Sequence, residues 1–312
     1  MPLFCAVKSK LPVVCVGNIH SGGSGKTPIV KLLIQKLESQ SPVLLARGYG
    51  GKLSSTGVQV DSKSESGCSL YGDEPWMIAK QMGIPVFIGK NRRKLLQMIE
   101  KEYPQSLVIM DDGFQRLSIK KDVSLVCINP DKKLTDNFCL PLGELREPLS
   151  AIGSADAVVL TPGTGLKNSL GWRQLISTHF PSTPIFEAQR EFEGFFEGSR
   201  KLDVDLEERA ISFCGIASPA RFVSSVREIH PATQHLKSFS DHHEYSAVEV
   251  NDLIRQGRLL GATLFITTDK DWFKVAPHFI DPNLKLVSLR LRYSLSEDFW
   301  SWISKKIGRR II

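Results

Sequence analysis

Lys26 and Thr27 lie in the stretch "NIHSGGSGKTPIV", residues 18–30, with Gly22, Gly23 and Gly25 just before them. Glycines so spaced let consecutive backbone N–H groups turn inward around phosphate oxygens, a nest that Cβ-bearing residues form poorly. A lysine and a hydroxyl directly after the last glycine are the groups that reach the β- and γ-phosphates and a Mg²⁺ ion. The segment matches G-x-x-x-x-G-K-[ST] except that His20 stands at the first glycine position, which mainly eases the exit from a strand. A second anchor for a cation is offered by "LVIMDDGFQ", an apolar run ending in Asp111 and Asp112, since adjacent carboxylates repel unless a cation offsets them.

Three further stretches carry reactive side chains in turn-like settings. "ARGYGG" (46–51) holds Arg47 and Tyr49, "YGDEPWM" (71–77) holds Asp73 and Glu74, and "LPLGELREPLS" (140–150) holds Arg146 and Glu147. Asp73 reads equally as the N-cap of a helix and as a chemical group. Arg146 and Glu147 read also as a surface ion pair, which is worth little.

These residues need a frame that brings loops together. The first half alternates apolar β-rich runs (11–18, 42–51, 84–90, 106–115, 123–129, 155–161) with helical stretches (27–40, 74–82, 92–102). That rhythm predicts an α/β fold, a P-loop NTPase-like parallel sheet flanked by helices, with ligands at the C-terminal ends of the strands. After residue 184 the pattern changes. "PIFEAQREFEGFFEG" (184–198) has period-two patches and glycines, as a hairpin has. The expected division is a kinase-like domain over 1–184, a hairpin-like linker over 185–207 and a smaller C-terminal α/β domain over 208–312.

Composition narrows the class. The 312 residues are 42% hydrophobic and 23% charged, with a net charge of +7. A basic balance suits anionic partners without choosing among them. No helix-turn-helix, zinc or aromatic–basic RNA motif is visible, so nucleic acid is not an expected partner. The six cysteines show no C-x-x-C pair and no metal spacing, which points to free thiols in a reducing compartment. No secretory leader pattern is present, and no run of about 18 apolar residues offers a membrane span.

Taken together and in order, "VGNIHSGGSGKTP", "RGYGG", "GDEP", "DDGFQ", "LREP", "GIASPARF", "FSDHHEY" and "TTDKDWFK" resemble the tetraacyldisaccharide 4'-kinase family, the lipid A kinases, over about residues 11 to 275. The resemblance implies transfer of the ATP γ-phosphate to the 4'-hydroxyl of a tetraacyldisaccharide 1-phosphate in lipid A biosynthesis. It implies peripheral work on an anionic surface, the cytoplasmic face of the Gram-negative inner membrane, and no obligate protein partner is inferred. By the same resemblance, residues 20–27 (His20, Ser21, Gly22, Gly23, Ser24, Gly25, Lys26, Thr27) and Gln115 would hold ATP. Thr27, Asp111, Asp112 and Glu147 would hold Mg²⁺, and Arg47, Tyr49 and Arg146 would lie near the phosphates or the acceptor. Asp73 would act as base with His242 as its partner; His243 is the alternative, and Asp241-His242-His243 reads also as a metal site.

Two departures stand out. Arg116 follows "DDGFQ" where the family usually has His, and only about ten residues precede the P-loop strand, where the family usually carries a membrane-contacting segment. "EDFWSWISKKIGRRII" (297–312) could replace that contact. At helical spacing Phe299, Trp300, Ile303, Ile307 and Ile311 share one face opposite Lys305, Lys306 and Arg309, although a helix docked on the core fits the same pattern. From another functional class, a regulatory P-loop NTPase would need the glycine loop and the carboxylate strand, but not "GDEP", "LREP" or "DHH".

Overall fold

The computed structural model describes residues 6–132, 138–163 and 166–308. Two compact units emerge, one formed by 1–190 with 293–312 and the other by 191–292.

The first unit is built on an eight-stranded sheet. Its order is Ile185–Glu187, Ala157–Leu160, Val123–Ile128, Val13–Gly17, Leu107–Asp111, Pro42–Ala46, Val86–Ile88 and Val58–Gln59. All neighbours run parallel except the edge strand Val58–Gln59. The central runs are apolar and buried throughout because helices cover both faces. Helix Arg92–Glu102 sets Leu95, Leu96 and Ile99 on the face carrying Val13, Cys15, Val43, Val108 and Met110. The P-loop helix Lys26–Lys36 packs Ile29, Val30 and Leu33 against the same central strands. Cys15 and Cys127 are buried there, and burial pushes their thiols up to about 11 and about 12, as expected of cysteines acting as small hydrophobes.

The second unit contains most of a six-stranded sheet ordered Arg200–Leu202, Gln189–Glu197, Lys285–Ser294, Leu264–Thr267, Ala210–Cys214 and Gln234–Ser238. The last four are parallel neighbours, and the first two form an antiparallel hairpin. Helices Pro219–Ile229 and Ala247–Leu259 contribute to the two cores of this unit.

The domain expectation is corrected in two respects. Residues 185–207 are not a separate linker: Ile185–Glu187 is an edge strand of the first sheet, and Gln189–Glu197 belongs largely to the second. The chain also returns to the first unit after Arg292. Helix Glu297–Ile307 buries Phe299, Trp300, Ile303 and Ile307, with the Phe299 ring edge-on to Phe186 at 5.1 Å. Lys306 donates to Asp156 at 2.9 Å, again within the first unit. The apolar face suggested as a membrane contact is therefore taken up by protein core, while Arg309, Arg310 and Ile311 lie outside the described residues. Among the described residues no helix is long and apolar enough to cross a membrane.

Candidate active site

In the first unit the glycine loop leaves the C-terminal end of Val13–Gly17 and enters the helix starting at Lys26. Gly22 and Gly25 have φ of 81° and 76°, the left-handed region that favours glycine. At Gly25 a Cβ would also come within 2.8 Å of the Thr161 side chain, so the loop is seated against the end of Ala157–Leu160. The helix N-terminus adds its own positive field to the cradle.

Asn18 ties the loop together. It is buried, and its amide donates to the His20 carbonyl at 2.6 Å and to Ser24 Oγ at 2.9 Å. Its backbone carbonyl accepts from Gln115 Nε2 at 2.8 Å. Asn129, after Val123–Ile128, donates to the Gly23 carbonyl at 3.2 Å. His20 is 2% exposed and meets Trp172 edge-on at 5.4 Å, so at the departed glycine position the imidazole fills core space beside the cradle.

The Asp111–Asp112 turn sits beside the cradle. Asp112 has φ 50°, a strained conformation for a residue with a side chain. Arg92, itself buried, donates to the carbonyls of Asp111 at 2.7 Å and Asp112 at 3.2 Å and so holds the turn. The Asp112 carboxylate receives both nitrogens of Arg146, at 2.7 and 3.2 Å, and lies 3.6 Å from Lys26 Nζ. Burial raises its pKa, but the Arg146 hydrogen bonds and then Lys26 outweigh this, so the carboxyl lies below its ordinary value. Arg146 is aligned through its backbone, whose N–H donates to the Ile19 carbonyl at 2.6 Å, and through Asn18 Oδ1, which accepts from its Nη1 at 3.3 Å.

Asp111 behaves in the opposite way. Its Oδ1 is buried and no donor among the described residues reaches it. Burial first and Glu74 second push its carboxyl up to about 6. Glu74 in turn accepts from Thr27 Oγ1 at 3.1 Å. Asp73 is the buried first residue of helix Asp73–Met82, but the N-cap is Gly72 with φ 87°, so the side-chain capping suggested for Asp73 is not what the fold uses. A Cβ on Gly72 would meet the Tyr49 carbonyl at 2.5 Å, so the "RGYGG" turn lies against this helix start. Arg47 and Tyr49 themselves are exposed.

Among the described residues no three or more His, Cys, Asp or Glu side chains gather as metal ligands. The expected set of Asp111, Asp112 and Glu147 is thus not assembled as a cluster. Asp112 is occupied by Arg146 and Lys26, and the half-buried Glu147 acts electrostatically on Arg146 and Lys121. The same finding leaves Asp241-His242-His243 without a metal site.

In the second unit, "GIASPARF", "FSDHHEY" and "TTDKDWFK" converge at the C-terminal ends of parallel strands. Asp271 Oδ2 accepts from the Gly215 N–H at 2.9 Å and from Thr268 Oγ1 at 2.7 Å. Buried Lys274 donates to the carbonyls of His242 at 3.4 Å and His243 at 3.1 Å. The two histidines differ. His243 shares a hydrogen bond with Glu249 at 3.1 Å and stacks on Phe239 at 4.6 Å, which makes it part of the loop's packing. His242 has φ 60° and a side chain 40% exposed, so it is the histidine presented outward.

Sequence reasoning did not select Asn18, Arg92, Asn129, Lys274 or, as a site residue, Glu74. Asn18 and Glu74 lie inside the quoted motifs, where a polar residue at a strand exit or helix start was a usable signal. Lys274 closes the quoted "TTDKDWFK", but its partners, like those of Arg92 and Asn129, are backbone carbonyls far away in sequence, which leave no local signature.

Comparison with known proteins gives the family. The family model for tetraacyldisaccharide-1-P 4'-kinase matches residues 2–308. The tetraacyldisaccharide 4'-kinase of Desulfotalea psychrophila is 32% identical over 309 residues, covering 95% of this chain and 86% of that protein. That of Syntrophobacter fumaroxidans is 35% identical, covering 85% and 72% respectively. The crystal structure of an "apo" form of LpxK from Aquifex aeolicus in complex with ATP superposes with a TM-score of 0.73 at 26% identity, covering 98% of this chain and 90% of that one. This chain belongs to the tetraacyldisaccharide-1-P 4'-kinase family.

Proposed function

We propose that the protein transfers the γ-phosphoryl group of ATP to the 4'-hydroxyl of a tetraacyldisaccharide 1-phosphate, the lipid A 4'-kinase reaction. The observation that carries this reading is that Lys26 of the glycine cradle and Arg146 both meet the Asp112 carboxylate. Phosphoryl transfer is mainly positioning and charge neutralisation, and two pre-aimed cations supply both. The backbone N–H groups of residues 20–27 would hold the phosphates, with Arg47 and Tyr49 on the acceptor side. Asp73 would take the proton of the 4'-hydroxyl as that oxygen bonds to the γ-phosphorus. The bond from that phosphorus to the β-bridging oxygen breaks, and ADP leaves with the electron pair. His242 would orient Asp73 and tune its pKa. Gln115, which braces Asn18, would act on the nucleotide through the loop.

Thr27 and Asp111 fit a Mg²⁺ ion. A buried carboxylate oxygen without a donor, repelled by Glu74, which itself accepts from the Thr27 hydroxyl, is an arrangement that a divalent cation relieves. Thr27 and Asp111 would hold the ion, which when bound would neutralise charge on the phosphates. Asp112 would remain the brace for Lys26 and Arg146, with Glu147 beside it.

The acceptor is a lipid, so the protein would work peripherally on an anionic surface, the cytoplasmic face of an inner membrane. The net charge of +7 supports that reading. The test is transfer of label from [γ-³²P]ATP to tetraacyldisaccharide 1-phosphate in mixed micelles by the purified protein. Label in the lipid is expected only with both acceptor and Mg²⁺. ATP turnover at the same rate with and without acceptor would instead identify a regulatory NTPase, a reading the family match does not favour.

A further inference from the structure

Two exposed surfaces flank the glycine cradle at the C-terminal end of the first unit's parallel sheet. On one side is the turn over residues 138–145, which follows strand Val123–Ile128 in the chain. The Leu140 N–H donates to the Leu145 carbonyl at 2.8 Å, the Leu145 N–H to the Phe138 carbonyl at 3.2 Å, and the Gly143 N–H to the Cys139 carbonyl at 3.2 Å. A Cβ on Gly143 would collide with the Phe138 carbonyl, so the turn closes only with glycine there. Leu145 is buried and the Ser21 N–H donates to the Glu144 carbonyl at 2.8 Å, which fastens the turn to the cradle itself. Against that anchor, Phe138, Leu140 and Leu142 stand 65%, 56% and 83% exposed. Three large apolar side chains on one hydrogen-bonded turn form a patch, unlike apolar residues scattered singly over a surface.

On the other side, Ala46 and Ile88 pair at the ends of strands Pro42–Ala46 and Val86–Ile88. The Gly89 N–H donates to the Ala46 carbonyl at 3.3 Å, so the two chain exits stay together. Arg47 and Lys52 follow the first strand, and Lys90 and Lys94 follow the second. All four are exposed, and among the described residues no ion pair holds any of them. Lys94 lies in the first turn of helix Arg92–Glu102, which has no acidic residue there, so this cation opposes the helix field. Cations gathered without a counter-charge on the protein are stabilised by an anion outside it.

The sheet order places strands Val13–Gly17 and Leu107–Asp111 between the two surfaces. Strands Val123–Ile128 and Val86–Ile88 are four neighbours apart, about 20 Å at the usual spacing between strands. A single small anion does not span that distance. An anionic lipid surface does, taking apolar side chains into its interface and lysines over its headgroups. Helix Glu297–Ile307, which the sequence offered for this role, has its apolar face in the protein core.

We propose that this end of the first unit docks on an anionic bilayer, with Phe138, Leu140 and Leu142 in the interface and Lys52, Lys90 and Lys94 over the headgroups. The proposal rests on the peripheral reading given above and names the surface that carries it.

The test is co-sedimentation of the full-length protein with phosphatidylcholine vesicles, with and without phosphatidylglycerol. The wild type should bind the anionic vesicles, and more weakly as salt rises. Phe138→Ser with Leu142→Ser, and separately Lys90→Ala with Lys94→Ala, should each weaken binding by about tenfold or more. Both proteins should melt cooperatively near the wild-type temperature, since all four side chains are exposed. Lys10 and Lys120 are exposed just before strands Val13–Gly17 and Val123–Ile128, at the opposite end of the sheet. Lys10→Ala with Lys120→Ala removes the same charge and should leave binding within about twofold, because the attraction fades within a Debye length of the membrane. An equal loss in that pair would show that net charge alone drives binding and would overturn the proposal. So would a wild type indifferent to anionic vesicles, or unchanged binding by the Phe138→Ser, Leu142→Ser protein. Sedimentation needs no turnover, so the two readings fail separately. A protein that binds in this pattern yet labels no acceptor refutes the kinase reading alone; one that labels acceptor in micelles yet ignores anionic vesicles refutes the docking surface alone.

Discussion

Replacing Asp111 by Asn should stabilise the nucleotide-free protein at neutral pH while destroying its transfer activity. The carboxyl is pushed from an ordinary 3.8 to about 6, first by burial and second by Glu74, with Lys26 opposing them. The unfolded chain ionises near the ordinary value, so between about pH 4 and pH 6 the folded protein holds one proton more than the unfolded one. Stability from this group is therefore greatest below about pH 4, falls as pH rises to about 6, and is level above that. The full difference is about 3 kcal/mol at 1.36 kcal/mol per pH unit, reduced somewhat because part of the Asp111 side chain still meets water. The assay is urea denaturation of wild type and Asp111→Asn at intervals from pH 4 to pH 8, without nucleotide or divalent cation. Carboxyls away from this turn titrate equally in both proteins, so the difference between the two curves reports Asp111 together with the two carboxyls coupled to it, Glu74 and Asp112. That difference should grow in favour of Asn by roughly 2–3 kcal/mol between pH 4 and pH 7. Saturating ATP and Mg²⁺ should reverse it at pH 7, because ligands that bind only the folded wild-type site stabilise it by mass action. A stability difference constant across the pH range would refute the reasoning that Asp111 is an uncompensated buried carboxylate.

The remaining expectations are more direct. Lys26→Ala should lower the transfer rate by about 10²–10³ in a protein that still folds cooperatively, since Asp112 keeps its pairing with Arg146; near-normal turnover would sink the P-loop assignment. Asp73→Ala should lower kcat far more than it raises KM for ATP, and His242→Ala should add little on top of it; defects that multiply in the double mutant would count against a working pair. A protein ending at Ser296 loses four buried apolar side chains, Phe299, Trp300, Ile303 and Ile307, at roughly 1.5–3 kcal/mol each. That sum rivals a whole domain's margin, so the truncated chain should be unfolded or aggregated on expression, and a cooperative melt at the wild-type temperature would contradict the docked helix.

The sequence alone determined whatever depends on residues close together in the chain. The cradle of Gly22, Gly23 and Gly25 before Lys26 and Thr27, and the apolar strand ending in Asp111, are strand–loop units whose chemistry is complete within a dozen residues. Their alternation with helical segments was enough to give the parallel α/β class, because helix and strand periods are written locally. Tertiary structure decided the partners. Thr27 meets Glu74 across 47 positions and Asn18 meets Arg146 across 128, contacts fixed by which strands neighbour Val13–Gly17 in the sheet. The two adjacent histidines are alike in sequence, and only the packing of His243 between Phe239, Tyr245 and Glu249 sets His242 apart. The apolar face of 297–307 reads identically whether it meets lipid or protein, because periodicity records that a face is buried and not what buries it. Its contact with Phe186, more than a hundred residues earlier, exists only once the chain has returned to the first unit.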